Sequence, residues 1–222
     1  MVDFEEAEFG SMYYPTIKKK QRGMKGQQVS IAQPRNLTLI DTVISRSRVS
    51  DIALVSVGVL VTALAAQAQI PAVPVPFTLQ TLAVLLIGAT YGAARGAITM
   101  ATYALVGVLG APVFAGASSG IAALFGARGG FIIGFIFAAA LVGRMAELKW
   151  SSNFAKMTAS YVLGSVVIYA IGIPVLAMFA FSADLIAASA AMVPFMIWDA
   201  VKAVIAGALL PTAWAVVKSI KK

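Results

Sequence analysis

Residues 194–211 read PFMIWDAVKAVIAGALLP, a long apolar run that contains one acid and one base, Asp199 and Lys202. The two charges are three positions apart, so on an α-helix they share a face. The run approaches the ~20 residues that a helix needs to cross a bilayer. A charge at membrane depth is costly unless it is paired or hydrated. This stretch therefore predicts a membrane helix whose charged side chains point into a helix bundle or an aqueous cavity.

The rest of the chain has the composition of a membrane protein. Of its 222 residues, 60% are hydrophobic and 12% are charged, and the mean hydropathy is +0.89. Soluble domains carry about a quarter charged residues. Apolar stretches recur at 52–70, 79–93, 96–112, 129–146, 157–181 and 193–217. We predict an all-α integral membrane protein in which 51–222 form a six-transmembrane-helix bundle. Segment 183–192 is too short to cross and is predicted to be a separate partial helix at the outer interface.

The basic residues predict the orientation. Eight of the 17 Lys and Arg residues lie in 1–50, three at the C-terminus, and four more at Arg95, Arg144, Lys149 and Lys156. This bias places both termini in the cytoplasm of a multi-pass plasma-membrane protein. Residues 1–50 are predicted to be a flexible cytoplasmic extension. Its basic run, 18–25, either binds anionic lipid or is a solvated flank, and no nucleic-acid partner is expected.

The chain has no cysteine and no histidine. Thiolate and imidazole chemistry and the metal sites built on them are therefore excluded. The glycine-rich GARGG at 126–130 lacks the Lys-Ser/Thr ending of a phosphate loop. We predict no catalytic residue, no cofactor and no metal site. A membrane-embedded enzyme would need clustered acids or a Ser/His pair.

Three features are candidates for a binding site. Asp199 and Lys202 either mark a substrate path or pair with each other as a structural clamp. Arg128 could grip a carboxylate with its guanidinium or anchor at the lipid headgroups. The loop IPAVPVPFTLQT (70–81) is stiffened by three prolines and is either a lid over a pocket or a connector.

Small residues recur at four-residue intervals in three stretches, which lets helix backbones approach closely. These ridges are Gly58, Thr62 and Ala66; Gly88, Gly92 and Gly96; and Gly126, Gly130 and Gly134. Packing within the bundle is the ordinary role of such ridges. For the first ridge, contact with an external partner helix is the alternative.

At these residues the sequence resembles the BioY family, the biotin-binding S components of energy-coupling factor (ECF) transporters. The matching stretches are PVPFTLQT (74–81), YGAARGA (91–97), GAPVFAG (110–116), GGFIIGF (129–135), YAIGIPVLA (169–177) and PFMIWDAVKAVIAGALLP (194–211). The resemblance implies a six-helix bundle with an outward vitamin pocket. It also implies docking onto a transmembrane T component and two cytoplasmic ATPases that this chain does not encode.

The resemblance also implies a ligand and a set of contacts. Biotin carries two ureido N–H donors and a carboxylate, so its site needs an acceptor at one end and a cation at the other. Asp199 can accept, and Lys202 or Arg128 can supply the cation. The sequence departs from the family at GASSG (116–120), where Gly, Arg or Asn is more usual, and at Arg128, where Thr is. The expected substrate-binding residues are Asp199, Lys202, Tyr169, Phe77, Gln80, Phe114, Ser118 and Arg128.

Two other functions fit the same sequence. An S component for another small vitamin keeps the architecture and changes the pocket. A structural or assembly protein is favoured if Asp199 and Lys202 pair only with each other.

Overall fold

The computed structural model describes residues 38–220, most of which are helical. In chain order the elements are α1 Leu39–Val43, α2 Arg48–Gln67, β1 Gln69–Ile70, β2 Phe77–Thr78, α3 Gln80–Tyr91, α4 Ala93–Val108, α5 Ile121–Leu124, α6 Gly129–Glu147, α7 Phe154–Ala180 and α8 Leu185–Ile220. Single 3-10 turns form at Ala115–Ala117 and Trp150–Ser152. The basic run at 18–25 and most of the predicted N-terminal extension lie outside the described residues.

The long helices match the predicted apolar stretches. α2, α6, α7 and α8 are long and apolar enough to cross a membrane. α3 and α4 have 12 and 16 residues and are shorter than a usual span. They are separated by Gly92, whose φ of +88° is a conformation that favours glycine. The prediction of a mostly helical membrane protein is confirmed.

Residues 183–192 do not form the separate partial helix that the sequence predicts. α8 starts at Leu185 and runs unbroken to Ile220 through two prolines. A proline inside a helix removes one backbone N–H and crowds the preceding turn, which is why the sequence suggested a start at Pro194. Tertiary packing overrides that preference, because Ala188 and Met192 are fully buried in the first turns. The Asp184 carboxylate caps the new start by accepting from the N–H of Ile186 and of Ala187 at 2.9 and 3.0 Å.

The packed part of the chain begins earlier than the predicted boundary at residue 50. Arg95 at the start of α4 is 8% exposed, and its Nη2 lies 2.8 Å from Asp41 Oδ1 in α1. Its Nε lies 2.7 Å from Asp51 Oδ1 in α2, an ion pair without the alignment of a hydrogen bond. Burial alone would raise the pKa of Asp41. Hydrogen bonds from Thr38, Arg95 and Arg46 outweigh the burial and lower that pKa below its ordinary value.

Helix α6 packs against α3, α4 and α7 and lies at the centre of the bundle. Two glycines allow these close crossings. A Cβ on Gly88 would lie 2.6 Å from the Ala139 carbonyl oxygen, and one on Gly134 would lie 3.0 Å from the Cα of Ile168. Backbone therefore contacts backbone where α6 crosses α3 and α7, as small residues permit in membrane bundles.

The ridge of Gly58, Thr62 and Ala66 faces the interior. All three residues are buried, and a Cβ on Gly58 would lie 2.6 Å from Thr99 Cγ2 on α4. Packing within the bundle is therefore confirmed for this ridge. The alternative that it meets an external helix is wrong.

Candidate ligand-binding site

A cavity of about 540 Å³ lies among α3, α6, α7 and α8, beside the loop before α3. Small-molecule sites commonly occupy about 300–1,000 Å³ and are lined by apolar side chains with a few polar groups. This cavity fits that description, and its wall includes every residue that the sequence analysis named for ligand contact: Asp199, Lys202, Tyr169, Phe77, Gln80, Phe114, Ser118 and Arg128.

The proline-rich loop forms one wall of the cavity. β1 and β2 pair antiparallel with Ile70 opposite Phe77, and the Val73–Pro74 peptide bond is cis. Pro74, Val75 and Pro76, between the two strands, line the cavity. The ring of Phe77 stacks on Phe195 of α8, with centroids 3.9 Å apart and planes 7° apart. This stacking holds the loop against α8.

The polar end of the cavity is a buried ion pair inside a hydrogen-bond network. Lys202 Nζ donates to Asp199 Oδ1, to Thr81 Oγ1 and to the carbonyl oxygen of Thr78, each at 2.8 Å. Asp199 Oδ1 also accepts from Thr81 Oγ1, and Oδ2 accepts from the Tyr169 hydroxyl, both at 2.8 Å. Asp199 and Lys202 are each 4% exposed. Both charges are thus compensated inside the protein, as burial at membrane depth requires.

The hydrogen bonds determine what this end can offer a ligand. An ammonium has three donors, and all three of Lys202 are used. A carboxylate has about four acceptor positions, and the described residues fill three on Asp199. The open position is on Oδ2, beside the Tyr169 hydroxyl. As it stands, this end can accept an N–H from a ligand, whereas a donation from Lys202 would require replacing one of its partners.

The other charged group of the wall is Arg128, at the start of α6. Its Nη1 donates to the carbonyl oxygen of Ala115 at 2.9 Å, and Ser118 Oγ donates to the same oxygen at 2.9 Å. A guanidinium has five N–H donors in a planar fork. In the described part of the chain, this guanidinium donates one hydrogen bond. Its charge and remaining donors suit a carboxylate.

Gln80 and Phe114 line the cavity, and both side chains contact Tyr103 on the side away from it. Gln80 Nε2 donates to the Tyr103 hydroxyl at 2.8 Å, which donates to the Val113 carbonyl oxygen at 2.9 Å. The Phe114 ring meets the Tyr103 ring edge-on, with centroids 5.4 Å apart. These contacts fix the shape of the wall, because buried and satisfied polar groups resist rearrangement.

The model of the BioY family matches residues 35–219. The chain belongs to the BioY family. A relative described as the biotin transporter BioY of Thermotoga maritima is 41% identical over 138 residues, which are 62% of this chain and 80% of the relative. The biotin transporter BioY of Rhodobacter capsulatus is 31% identical over 178 residues, covering 70% of this chain and 90% of that one. With this membership and its apolar spans, the chain is a multi-pass membrane protein.

The fold is also that of a solved structure. A crystal structure of the S-component for biotin from an ECF-type ABC transporter superposes with a TM-score of 0.66. The two chains are 21% identical, and the match covers 76% of this chain and 94% of the other. At that identity the likeness is one of fold.

Sequence reasoning missed part of the cavity wall. Its further apolar members include Phe131, Ile168, Met192 and Phe195. An apolar residue in an apolar helix gives no sequence signal that separates pocket from lipid contact or core. Thr81 is the last residue of the proline-rich stretch 70–81, and its contact with Asp199, 118 positions away in the chain, could not be read from spacing.

Proposed function

We propose that this chain is a high-affinity biotin-binding membrane subunit, an S component, of an ECF-type vitamin uptake transporter. The observation that carries the proposal is one cavity with an open carboxylate acceptor on Asp199 and a guanidinium on Arg128 in its wall. Biotin needs that combination, because its ureido ring donates N–H groups and its valerate chain ends in a carboxylate. Family membership and the names of the relatives support the same ligand.

The proposed pose places the ureido ring at the buried end and the carboxylate near α6. A ureido N–H donates to Asp199 Oδ2 beside the Tyr169 hydroxyl. The apolar ring system lies against Phe77 and the surrounding aromatic wall. In this pose Arg128 binds the carboxylate; Lys202, whose Nζ lies 2.8 Å from Asp199 Oδ1, would bind it only if the ligand were reversed in the cavity. Gln80, Phe114 and Ser118 shape the wall between the two ends.

The subunit is not an enzyme, and it takes its energy from other chains. Its sequence has no phosphate-loop motif, so nucleotide hydrolysis belongs to separate cytoplasmic ATPase subunits. A transmembrane T component links this subunit to those ATPases.

Six crossings with both termini in the cytoplasm complete the proposal, with α3 and α4 as the two short crossings. Arg128 and Arg144 lie at opposite ends of α6. Arg144 pairs with Glu147, which accepts from the N–H of Ala93 near Arg95 at 3.0 Å. Arg95 at the start of α4 and Arg144 in the last turn of α6 thus lie at the same end of the bundle. This clustering of basic residues supports a cytoplasmic assignment for that end.

Equilibrium binding of radiolabelled biotin to the purified chain in lipid nanodiscs tests the ligand. We expect saturable binding at one site and no competition by riboflavin or thiamine. Tight binding of either vitamin without binding of biotin would instead identify an S component for that vitamin. A well-folded chain that binds none of the three would favour a structural role, which the internally satisfied donors of Lys202 also fit.

A further inference from the structure

Thr81 stands at the centre of the polar network, although it carries no charge. Its hydroxyl donates to Asp199 Oδ1 at 2.8 Å and accepts from Lys202 Nζ at 2.8 Å and from the Tyr161 hydroxyl at 3.4 Å. A hydroxyl has one donor and two acceptor positions, so all three are used. Thr81 is in the first turn of α3, whereas both charges are on α8. It therefore ties the charge pair of one helix to another helix.

This tie determines how the carboxylate of Asp199 is presented. Lys202 donates one of its three hydrogen bonds to Oδ1, and the Tyr169 hydroxyl donates to Oδ2. The second hydrogen bond to Oδ1, from Thr81, occupies that oxygen fully. Tyr161 is fully buried and its hydroxyl donates to Thr81 Oγ1. This contact restrains the Thr81 hydroxyl from rotating away from Asp199. Oδ2 is left as the oxygen with an open position beside Tyr169.

We propose that Thr81 is a positioning residue of the pocket. Its hydroxyl engages Asp199 Oδ1 and Lys202 Nζ together and so leaves Oδ2 to accept the ligand N–H. This inference rests on the proposed function, because the ligand that uses Oδ2 is taken to be biotin. Thr81 acts through Asp199 and need not touch biotin itself.

Three variants test the role by biotin affinity. Thr81→Val keeps the shape and removes the hydroxyl, and we expect the biotin Kd to rise about 10- to 100-fold, the range for losing a hydrogen bond to a charged group. Thr81→Ser keeps the hydroxyl, so its Kd should stay within about threefold of the wild type. In an Asp199→Asn background, Thr81→Val should add less than about threefold, because residues that act through one contact are not additive.

Thermal unfolding of each variant is measured alongside affinity. A Thr81→Ser variant as weak as Thr81→Val, or full additivity with Asp199→Asn, would overturn the positioning role. If Thr81→Val does not fold, Thr81→Ala is measured against the same thresholds, and failure of both while Thr81→Ser is normal in fold and affinity would assign Thr81 to folding and overturn the proposal. Absence of biotin binding in the wild type would overturn the proposed function itself, whereas normal binding by Thr81→Val would overturn the role of Thr81 alone.

Discussion

Asp199 and Lys202 form an ion pair with each other and also line the cavity. Substitutions must therefore distinguish a role in stability from a role in ligand binding. Asp199→Asn leaves a buried ammonium without its counter-charge, and Lys202→Met leaves a buried carboxylate without its own. We expect each to weaken biotin binding by roughly 2–5 kcal/mol, the range for breaking a buried charged pair. The measurement is biotin affinity together with thermal stability.

The double variant Asp199→Asn with Lys202→Met discriminates between the roles. Since no lone buried charge remains, its stability should recover relative to the single variants. Its biotin affinity should stay low, because the acceptor of the ureido N–H has been weakened. Near-normal affinity in a well-folded double variant would reduce the pair to a structural clamp.

Arg128 and Lys202 are the two candidates for the biotin carboxylate, and an uncharged ligand distinguishes them. If Arg128 binds the carboxylate, Arg128→Gln should raise the Kd for biotin about 10- to 100-fold, the loss of a charge-assisted hydrogen bond. The same variant should bind biotin methyl ester as the wild type does, since the ester has no charge to lose. Lys202→Met is the comparison. If Lys202→Met loses at least about tenfold more affinity for biotin than for the ester, while Arg128→Gln weakens both ligands equally, the carboxylate is assigned to Lys202.

At the scale of elements, α1 is attached to the bundle by charge, which makes its attachment depend on pH. The lowered pKa of Asp41 means that its carboxylate stabilises the fold above the pKa of the unfolded chain, about 3.9. That contribution is lost as the pH falls through the lower pKa of the folded state. Asp41→Asn should therefore lower the Tm at pH 7, and the difference from the wild type should shrink progressively as the pH falls below ~4. Thermal unfolding from pH 7 to pH 3 measures this, and a Tm difference that persists undiminished into acid would rule out the ion-pair explanation.

The packing of α2 against α4 gives a matched pair of substitutions on one helix. Gly58→Leu places a side chain where Thr99 already lies within 2.6 Å of a Cβ, and overpacking of this kind costs about 1–3 kcal/mol or more. We expect the Gly58→Leu variant to have a lower Tm and a correspondingly smaller fraction of protein that binds biotin. Ser56 is exposed on the same helix, so Ser56→Leu should leave both unchanged. A Gly58→Leu protein with normal Tm and normal biotin affinity but no uptake would contradict the internal packing role. It would instead indicate that the ridge of Gly58, Thr62 and Ala66 contacts a partner helix.

Hydropathy predicts where the helices lie, because the length of an apolar stretch can be read directly from the local sequence. The motifs that resemble the family also contain residues that line one cavity. The sequence is misleading where tertiary contacts outweigh local preference. Pro194 suggested the start of a helix, yet buried Met192 holds the preceding turns in place. Arg95 was counted only as part of the charge bias that predicts orientation, yet it is also buried in an ion pair with Asp41. Such contacts join residues far apart in the chain, and neither periodicity nor composition contains that information.

At the scale of the whole molecule, the charge distribution predicts an absolute orientation that the chain itself makes simple to test. It has no cysteine, so a single introduced thiol is a unique label. Ser152 and Ser182 are exposed serines in the connections at opposite ends of α7, and Ser→Cys is nearly isosteric at both. The basic loop that contains Ser152 should face the cytoplasm. An impermeant maleimide added to intact cells should therefore label Ser182→Cys at least about tenfold faster than Ser152→Cys, and the two rates should become similar after permeabilisation. Biotin uptake by both variants confirms that the labelled protein is native. Labelling of Ser152→Cys from outside would invert the topology, and equal labelling of both sites in intact cells would mean that α7 does not cross the membrane.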